Sequence, residues 1–159
     1  KNTEIRFHLR YDTETVADRD HAGNRTRRRV RIQIRSRRGL LALRPWAALG
    51  RSTSPDGVGQ GRALGLLARL GNAGHARLDG WLALFRVSDY DARIYTATPD
   101  VWGGSRLSVL SGSGAAAGAR LGLDLGRLRV CVRADAKHAG SQRSTSWALQ
   151  IDLDLDQGK

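Results

Sequence analysis

From Trp147 to Asp156 the chain alternates apolar and polar residues without a slip. Trp147, Leu149, Ile151, Leu153 and Leu155 fall on one side of an extended chain, and Gln150, Asp152, Asp154 and Asp156 on the other. A period of two is a β-strand signature, because successive side chains leave a strand on opposite faces. About ten residues is also what a tilted strand needs to cross the apolar part of a bilayer. The alternation recurs in Glu4 to Asp12, where Ile5, Phe7, Leu9 and Tyr11 oppose Arg6, His8, Arg10 and Asp12. It returns in Arg27 to Arg37, with Val30, Ile32 and Ile34 against Arg29, Arg31, Gln33 and Arg35.

Turn chemistry separates further strand-like segments. Gly23-Asn24 lies in a polar loop from Asp18 to Thr26, and Gly39 turns the chain into Leu41 to Ala47. Pro45 has no N–H to give a ladder, so it is expected at an edge or a bulge. Residues 50 to 61, rich in Gly and Ser, read as the clearest loop. Arg62 to Leu70 is ambiguous between strand and helix, while His75 to Val87 and Asp89 to Thr98 read as strands. A turn spans Pro99-Asp100 to Gly104, and a short segment, Arg106 to Leu110, precedes the small residues Ser111 to Gly118. Ala119 to Leu125 and Leu128 to Ala136 form a hairpin across Gly126-Arg127. A second loop, Lys137 to Thr145, leads into the last strand. The expectation is one all-β domain over residues 1–159, an antiparallel up-and-down meander of about ten strands.

Composition sharpens the question of what the apolar sides touch. The 159 residues are one domain's worth of chain, with net charge +12 and a pI of about 11.3. Lys1, Lys137 and Lys159 are the only lysines, so the basic charge is nearly all Arg. Such a balance points to nucleic acid or an anionic surface, or to a barrel interior that shelters charge from lipid. Cys131 stands alone, which excludes a disulfide framework and a cysteine-based metal site. It reads as a small packing residue. No apolar run is long enough for a membrane helix, which leaves a membrane barrel open. The sequence opens on Lys1 with no charged leader and apolar run behind it. An exported form therefore implies a signal already removed or a longer parent chain.

A soluble β-sandwich alternates in the same way and is the commoner fold. Three features weigh toward lipid. Arg29, Arg31 and Arg35 on one strand, with Asp152, Asp154 and Asp156 on another, can neutralise each other across a lumen. An Arg facing lipid instead costs about 2–4 kcal/mol at the bilayer midplane. The apolar sides are uniformly aliphatic, as suits contact with fluid tails. Aromatic residues make up only 6%, thin for a soluble β core. They are thin as well for membrane girdles, which Trp46, Trp81, Trp102 and Trp147 would have to supply.

Residues 82 to 95, Leu-Ala-Leu-Phe-Arg-Val-Ser-Asp-Tyr-Asp-Ala-Arg-Ile-Tyr, resemble a recurring segment of bacterial outer-membrane proteins with an N-terminal helix-hairpin-helix region and a C-terminal β-barrel. In that family an Ala-Leu-Phe-type step and a Ser/Asp-rich turn precede a strand matched here by Tyr90-Asp91-Ala92-Arg93-Ile94-Tyr95. Arg28 to Arg35 looks like an upstream strand of such barrels, and residues 147–156 fall where their last strand falls. The resemblance extends over residues 4–156, with Tyr90 to Tyr95 its specific part. It implies a transmembrane β-barrel, closed here or part of a larger one, in the outer membrane of a Gram-negative bacterium. It also implies a link to DNA binding or uptake. Two features depart from the family: Leu155 is followed by Asp156-Gln157-Gly158-Lys159 rather than a terminal aromatic, and the chain after Tyr95 is Gly- and Ala-rich. A helix-hairpin-helix region is not evident.

The candidate sites follow from these strands. Arg29, Arg31, Arg35, Arg93, Asp152 and Asp154 are the expected charged lumen residues. Asp89, Asp91 and Arg93 read as a lumen or turn network rather than catalytic groups. Gly57-Val58-Gly59-Gln60-Gly61-Arg62 matches the Gly-apolar-Gly pattern of a hairpin that holds a DNA phosphate. The preceding Arg51 to Asp56 cannot supply the helix such a motif needs, so a plain loop competes. Arg27 and Arg28, with Gly57, Gly59 and Arg62, are the nucleic-acid candidates. Asp152, Asp154 and Asp156 sit nearly 7 Å apart along a strand, too loose for a cation cage on their own. His8, His21, His75 and His138 show no metal spacing, and no catalytic or cofactor motif stands out. The expectation is a porin-like outer-membrane barrel, structural or pore-forming, with lipid and DNA as partners, no small-molecule cofactor and no enzymatic role. Its rival is a soluble, basic, all-β nucleic-acid-binding module.

Overall fold

The computed structural model describes residues 3–18, 23–55, 57–71, 75–101 and 104–153. Trp102 and Asp154 lie outside them. Ten strands follow one another: β1 (Thr3–Asp18), β2 (Gly23–Arg38), β3 (Leu41–Ser54), β4 (Gly57–Gly71), β5 (Ala76–Val87), β6 (Ile94–Pro99), β7 (Ser105–Leu110), β8 (Gly112–Leu125), β9 (Leu128–Ala139) and β10 (Gln142–Leu153). The all-β antiparallel meander read from the alternation is the architecture found. Eight of the strands form one sheet in the order β1-β2-β3-β4-β5-β8-β9-β10, and β6 and β7 form a separate two-stranded ribbon. β1 and β10 are the two edges of the large sheet. The ribbon belongs to an insertion between β5 and β8, entered through a 3₁₀ turn at Tyr90–Ala92.

The registers keep one set of side chains together across all eight strands. Arg10 lies opposite Arg31, Arg31 opposite Ala48, Ala48 opposite Ala63, and Ala63 opposite Phe85. Gly114 follows across β8, and Arg133 of β9 meets Arg120 of β8 and Ala148 of β10. This face, called inner here, carries the insertion. Its core cluster is Trp46, Ala48, Ala63, Ala83, Phe85, Val87 and Ala116 of the sheet with Ala92, Ile94 and Leu110 of the insertion. Cys131 is buried on the same face. The sheet supplies mostly small residues because its neighbours stand close above it. A Cβ at Gly65 would collide with the Trp46 ring.

Several segment boundaries differ from the sequence reading. Residues 50 to 61 are not a loop: β3 runs to Ser54, and β4 starts at Gly57. Gly50, Gly59 and Gly61 face the 3₁₀ turn. A Cβ at Gly50 would lie 2.9 Å from the Ala92 carbonyl oxygen, and one at Gly59 would lie 2.6 Å from Asp89 Cβ. These glycines permit a close approach; they do not bend the chain. Ser111 to Gly118 and Lys137 to Thr145 likewise lie mostly within strands, with tight turns at Gly112 and Gly140. Tyr90 to Ala92 is a 3₁₀ turn and not the start of a strand. Arg62 to Leu70 is strand. Pro45 sits in a central strand, and the β2–β3 register passes from Gln33↔Trp46 to Ser36↔Leu43 with no pairs between. The missing N–H opens a gap in that ladder. The predicted hairpin at Gly126-Arg127 forms, with Leu125 opposite Leu128 and Gly126 at φ 79°.

The Trp46 slot makes a direct prediction. Gly65→Ala should cost about 1–3 kcal/mol through overpacking. Gly80→Ala, with nothing within 4 Å of the new methyl, should stay within about 0.5 kcal/mol of the parent. Urea unfolding followed by tryptophan fluorescence compares the two.

Candidate functional site

The strand alternation assigns every charged ladder residue to a face, and the inner face gathers most of them. Asp79 of β5 is 1% exposed and takes three arginines. Arg69 Nε donates to its Oδ1 at 2.7 Å, Arg77 Nε to Oδ2 at 2.8 Å, and Arg120 Nε to Oδ2 at 3.0 Å. Arg69, Asp79 and Arg120 stand in one row, since Arg69 pairs with Asp79 and Asp79 with Arg120 in adjacent ladders. Arg120, itself buried, also donates to the Asp100 carbonyl at 2.6 Å. Arg133 pairs with the Asp100 carboxylate and lies 2.8 Å from Asp135, whose Oδ1 accepts from Trp81 Nε1 at 3.1 Å. The network joins β4, β5, β8 and β9 to the insertion.

A second network fixes the other end of the insertion. Asp91, in the 3₁₀ turn, accepts from Arg27 at 2.5 Å and lies 2.6 Å from Arg25. Arg31 donates to the Tyr95 carbonyl at 3.2 Å, and its guanidinium stands 4.6 Å from the Trp46 ring centre. Arg29 stands 5.4 Å from the Tyr95 ring centre, and Ser52 donates to Asp89 at 3.2 Å. Lys137 donates to the Val109 carbonyl at 2.9 Å. The described residues of the insertion, 88–101 and 104–111, are thus held over the inner face from β2 to β9 by groups on both sides. Charge neutralisation here is shared: two acids serve five arginines, and carbonyls and rings take others.

The outer face is the reverse. Phe7, Leu9, Ile32, Leu49, Leu64, Leu84, Val132, Trp147 and Ile151 are all large, apolar and exposed, Phe7 and Leu9 at 74% and Trp147 at 78%. They come from β1, β2, β3, β4, β5, β9 and β10 on the side away from the insertion, and Leu121 of β8 joins them. Outward positions stay apolar from Leu41 to Leu49 in β3 and from Ala115 to Leu125 in β8. Monomeric water-soluble proteins rarely expose a contiguous apolar patch beyond a few hundred Å². This one crosses all eight strands.

Of the residues singled out from the sequence, Arg29, Arg31 and Arg35 of β2 and Asp152 of β10 stand on the inner face. Arg93 belongs to the insertion, 3.5 Å from the Tyr90 ring centre. Asp154 lies outside the described residues. Arg27 and Arg28, grouped together from sequence, part company: Arg27 is bound to Asp91 inside, and Arg28 points outward. Gly57 and Gly59 open β4 with Arg62 on its outer side, and no helix follows them, so the arrangement offers no helix N-terminus to a phosphate. Sequence reasoning missed Asp79, Asp100, Arg120 and Arg133. The parity of each strand places Asp79 and Arg120 on the polar side, but their meeting depends on the β5–β8 pairing across the insertion, which no local pattern announces.

Among the described residues no group of three His, Cys, Asp or Glu is placed to hold a metal. No described helix is long and apolar enough to cross a membrane, which says nothing of strands. Comparison with protein-family models, curated proteins and solved structures finds no match to this chain. The resemblance at Tyr90 to Tyr95 therefore stands on those residues alone.

Asp79 is the test of the inner network. Asp79→Asn leaves Arg120 buried without its counter-charge and should destabilise by about 3 kcal/mol. Asp12→Asn removes an exposed partner of Arg10 and should cost under about 1 kcal/mol. Denaturant midpoints of the two variants measure the difference.

Proposed function

We propose that the chain forms the wall of a bacterial outer-membrane β-barrel, its outer face against acyl chains and its Arg/Asp face turned to a lumen that residues 88–111 fill. The observation carrying this reading is the polarity of the sheet: aliphatic side chains stand exposed on one side of all eight strands, while the buried ion pairs lie on the other. In water that arrangement leaves a large apolar area hydrated and places charge where a soluble fold keeps its core. In a bilayer both placements are favourable. The reading requires the backbone edges of β1 and β10 to be closed, on each other or on further strands, because unpaired N–H and C=O groups in lipid cost several kcal/mol each.

The insertion bears on what such a barrel does. A two-stranded ribbon tied down by Asp91, Asp100 and Asp79 partners favours a structural or gated barrel over a permanently open pore. A link to DNA rests on the family resemblance alone. The soluble nucleic-acid module remains the rival reading, favoured by the +12 charge.

A single substitution separates the two, since they predict opposite signs. Leu66 is 39% exposed and near the middle of the outer face, opposite Pro45 and Leu82. Facing lipid, Leu66→Arg should cost about 2–4 kcal/mol and cut the folded fraction in lipid vesicles. Facing water, it should be neutral and improve solubility. Folding into phosphatidylcholine vesicles, read as heat-modifiable gel mobility, decides. A parent chain that stays in the aqueous phase and shows no such mobility would overturn the barrel reading.

A further inference from the structure

One end of the outer face is basic, and its geometry is independent of the inner networks. Arg28, Arg51, Arg62 and Arg86 all project outward, each one outward position beyond an apolar residue: Val30, Leu49, Leu64 and Leu84. Arg28 lies directly opposite Arg51 in the β2–β3 ladder, and Arg62 directly opposite Arg86 in the β4–β5 ladder. Directly opposed like charges destabilise a sheet. All four are exposed, and no described carboxylate is paired with any of them. The two opposed pairs are offset by two residues, since Arg51 faces Gln60 and Arg62 faces Leu49. The four therefore form a staggered basic row about 14 Å wide over four strands. At the opposite end the outer positions of β3, β4, β5, β8, β9 and β10 stay apolar up to the turns, at Leu41, Leu70, Leu78, Leu125, Leu128 and Leu153, while β2 carries an outward Arg38 there.

Two hollows meet along this row. One, of about 650 Å³, is lined by Arg51, Arg62 and Arg86 with Gln60 and Ser88. The other, of about 480 Å³, lies beside it among Ala47, Leu49, Leu64 and Leu84, with Arg62 and Arg86 at their common border. Small Ala47 between larger leucines makes the apolar hollow. A cationic pocket sharing an edge with an acyl-sized groove is complementary to a molecule with an anionic head and an aliphatic tail.

We propose that Arg28, Arg51, Arg62 and Arg86 form a binding site for the phosphate groups of anionic membrane lipid, with one acyl chain lying in the groove beside Leu64 and Leu84. The site rests on the membrane reading above and deepens it. The phosphates relieve the Arg–Arg repulsion that the ladders impose, and they hold this end of the sheet at the headgroup level. Guanidinium forks suit phosphate oxygens, two N–H groups to two oxygens. A nucleic-acid backbone offers the same phosphates without a tail, and gives the adjoining groove nothing to hold.

The experiment folds the full chain from urea into phosphatidylcholine vesicles with and without one-third phosphatidylglycerol, scoring insertion by heat-modifiable mobility and affinity by flotation. Wild type should bind the anionic vesicles at least roughly tenfold more tightly, at about fivefold per arginine engaged, and lose most of that gain in high salt. R28Q/R51Q/R62Q/R86Q should insert in phosphatidylcholine as well as wild type but lose the gain. The all-Lys variant, which keeps the charge without the two-pronged N–H geometry, should keep only part of it, and R38Q/R127Q, at the far end, should keep it all. Equal gain in wild type and the Gln variant, with both inserting in phosphatidylcholine, overturns the site and leaves the barrel intact. So does release from anionic vesicles by inorganic phosphate beyond that by chloride of equal ionic strength. Tight binding of a DNA duplex by wild type that the Gln variant loses also overturns it. Failure of every variant to insert in any vesicle removes the barrel and the site together.

Discussion

The large sheet keeps its aspartates and most of its ladder arginines on one side, with Arg28, Arg51, Arg62 and Arg86 standing outward at one end. A one-residue slip in any ladder would carry the buried ion pairs to the other side. That constraint orders the whole molecule. With the registers as they are, Asp79 meets Arg69, Arg77 and Arg120, and Asp91 meets Arg25 and Arg27. Slipped by one, the same arginines would lie among Leu64, Leu66 and Leu84. The alternation therefore specifies pairing more strictly here than in a sheet with two polar faces. Shape fitting among the outer side chains contributes little, since those side chains have few protein neighbours.

The scarcity of acids explains how the insertion comes to be held. Arg and Lys together number 27 against 15 Asp and Glu, so the inner face cannot neutralise its arginines one for one. Carboxylates are shared, and the surplus is taken by carbonyls and aromatic rings. Arg31 illustrates this, bonded to the Tyr95 carbonyl and stacked near Trp46. Residues 88–111 supply Asp89, Asp91 and Asp100 together with the carbonyls of Tyr95, Asp100 and Val109. The insertion acts as a counter-charge delivered to a basic wall, and its Ile94 and Leu110 side chains fill the space left by alanines and glycines below it.

Strand existence was legible wherever the two faces differ in polarity, as in residues 4–12, 27–37 and 147–153. It was lost where both faces carry small residues. Gly50 to Gly61 and Ser111 to Gly118 resemble loops because Gly and Ser are turn formers, yet here they lie under the 3₁₀ turn and beside bulky neighbours, where a larger side chain would not fit. The local signal for a turn and the tertiary requirement for closeness use the same residues. Tyr90 to Ala92 misled in the other direction: alternation continues through it, but Asp91 is drawn to Arg25 and Arg27 instead of joining a ladder. The split of Arg27 from Arg28 was implicit in strand parity. Its consequence, one paired inside and one exposed outside, needed the position of Asp91.

The insertion also sets the order in which the sheet can assemble. Every other neighbouring pair of strands is joined by a short connection, so those hairpins can zip up from their turns with little loss of chain freedom. β5 and β8 are the exception, because residues 88–111 must be gathered before their ladder can close. Gathering a longer loop costs slowly growing entropy, about 0.6 kcal/mol for each doubling of its length. If the β6–β7 ribbon forms first, it draws the two ends nearer and lessens that cost. The element that covers one face of the sheet is in this way also the clasp through which its two halves, β1 to β5 and β8 to β10, come together.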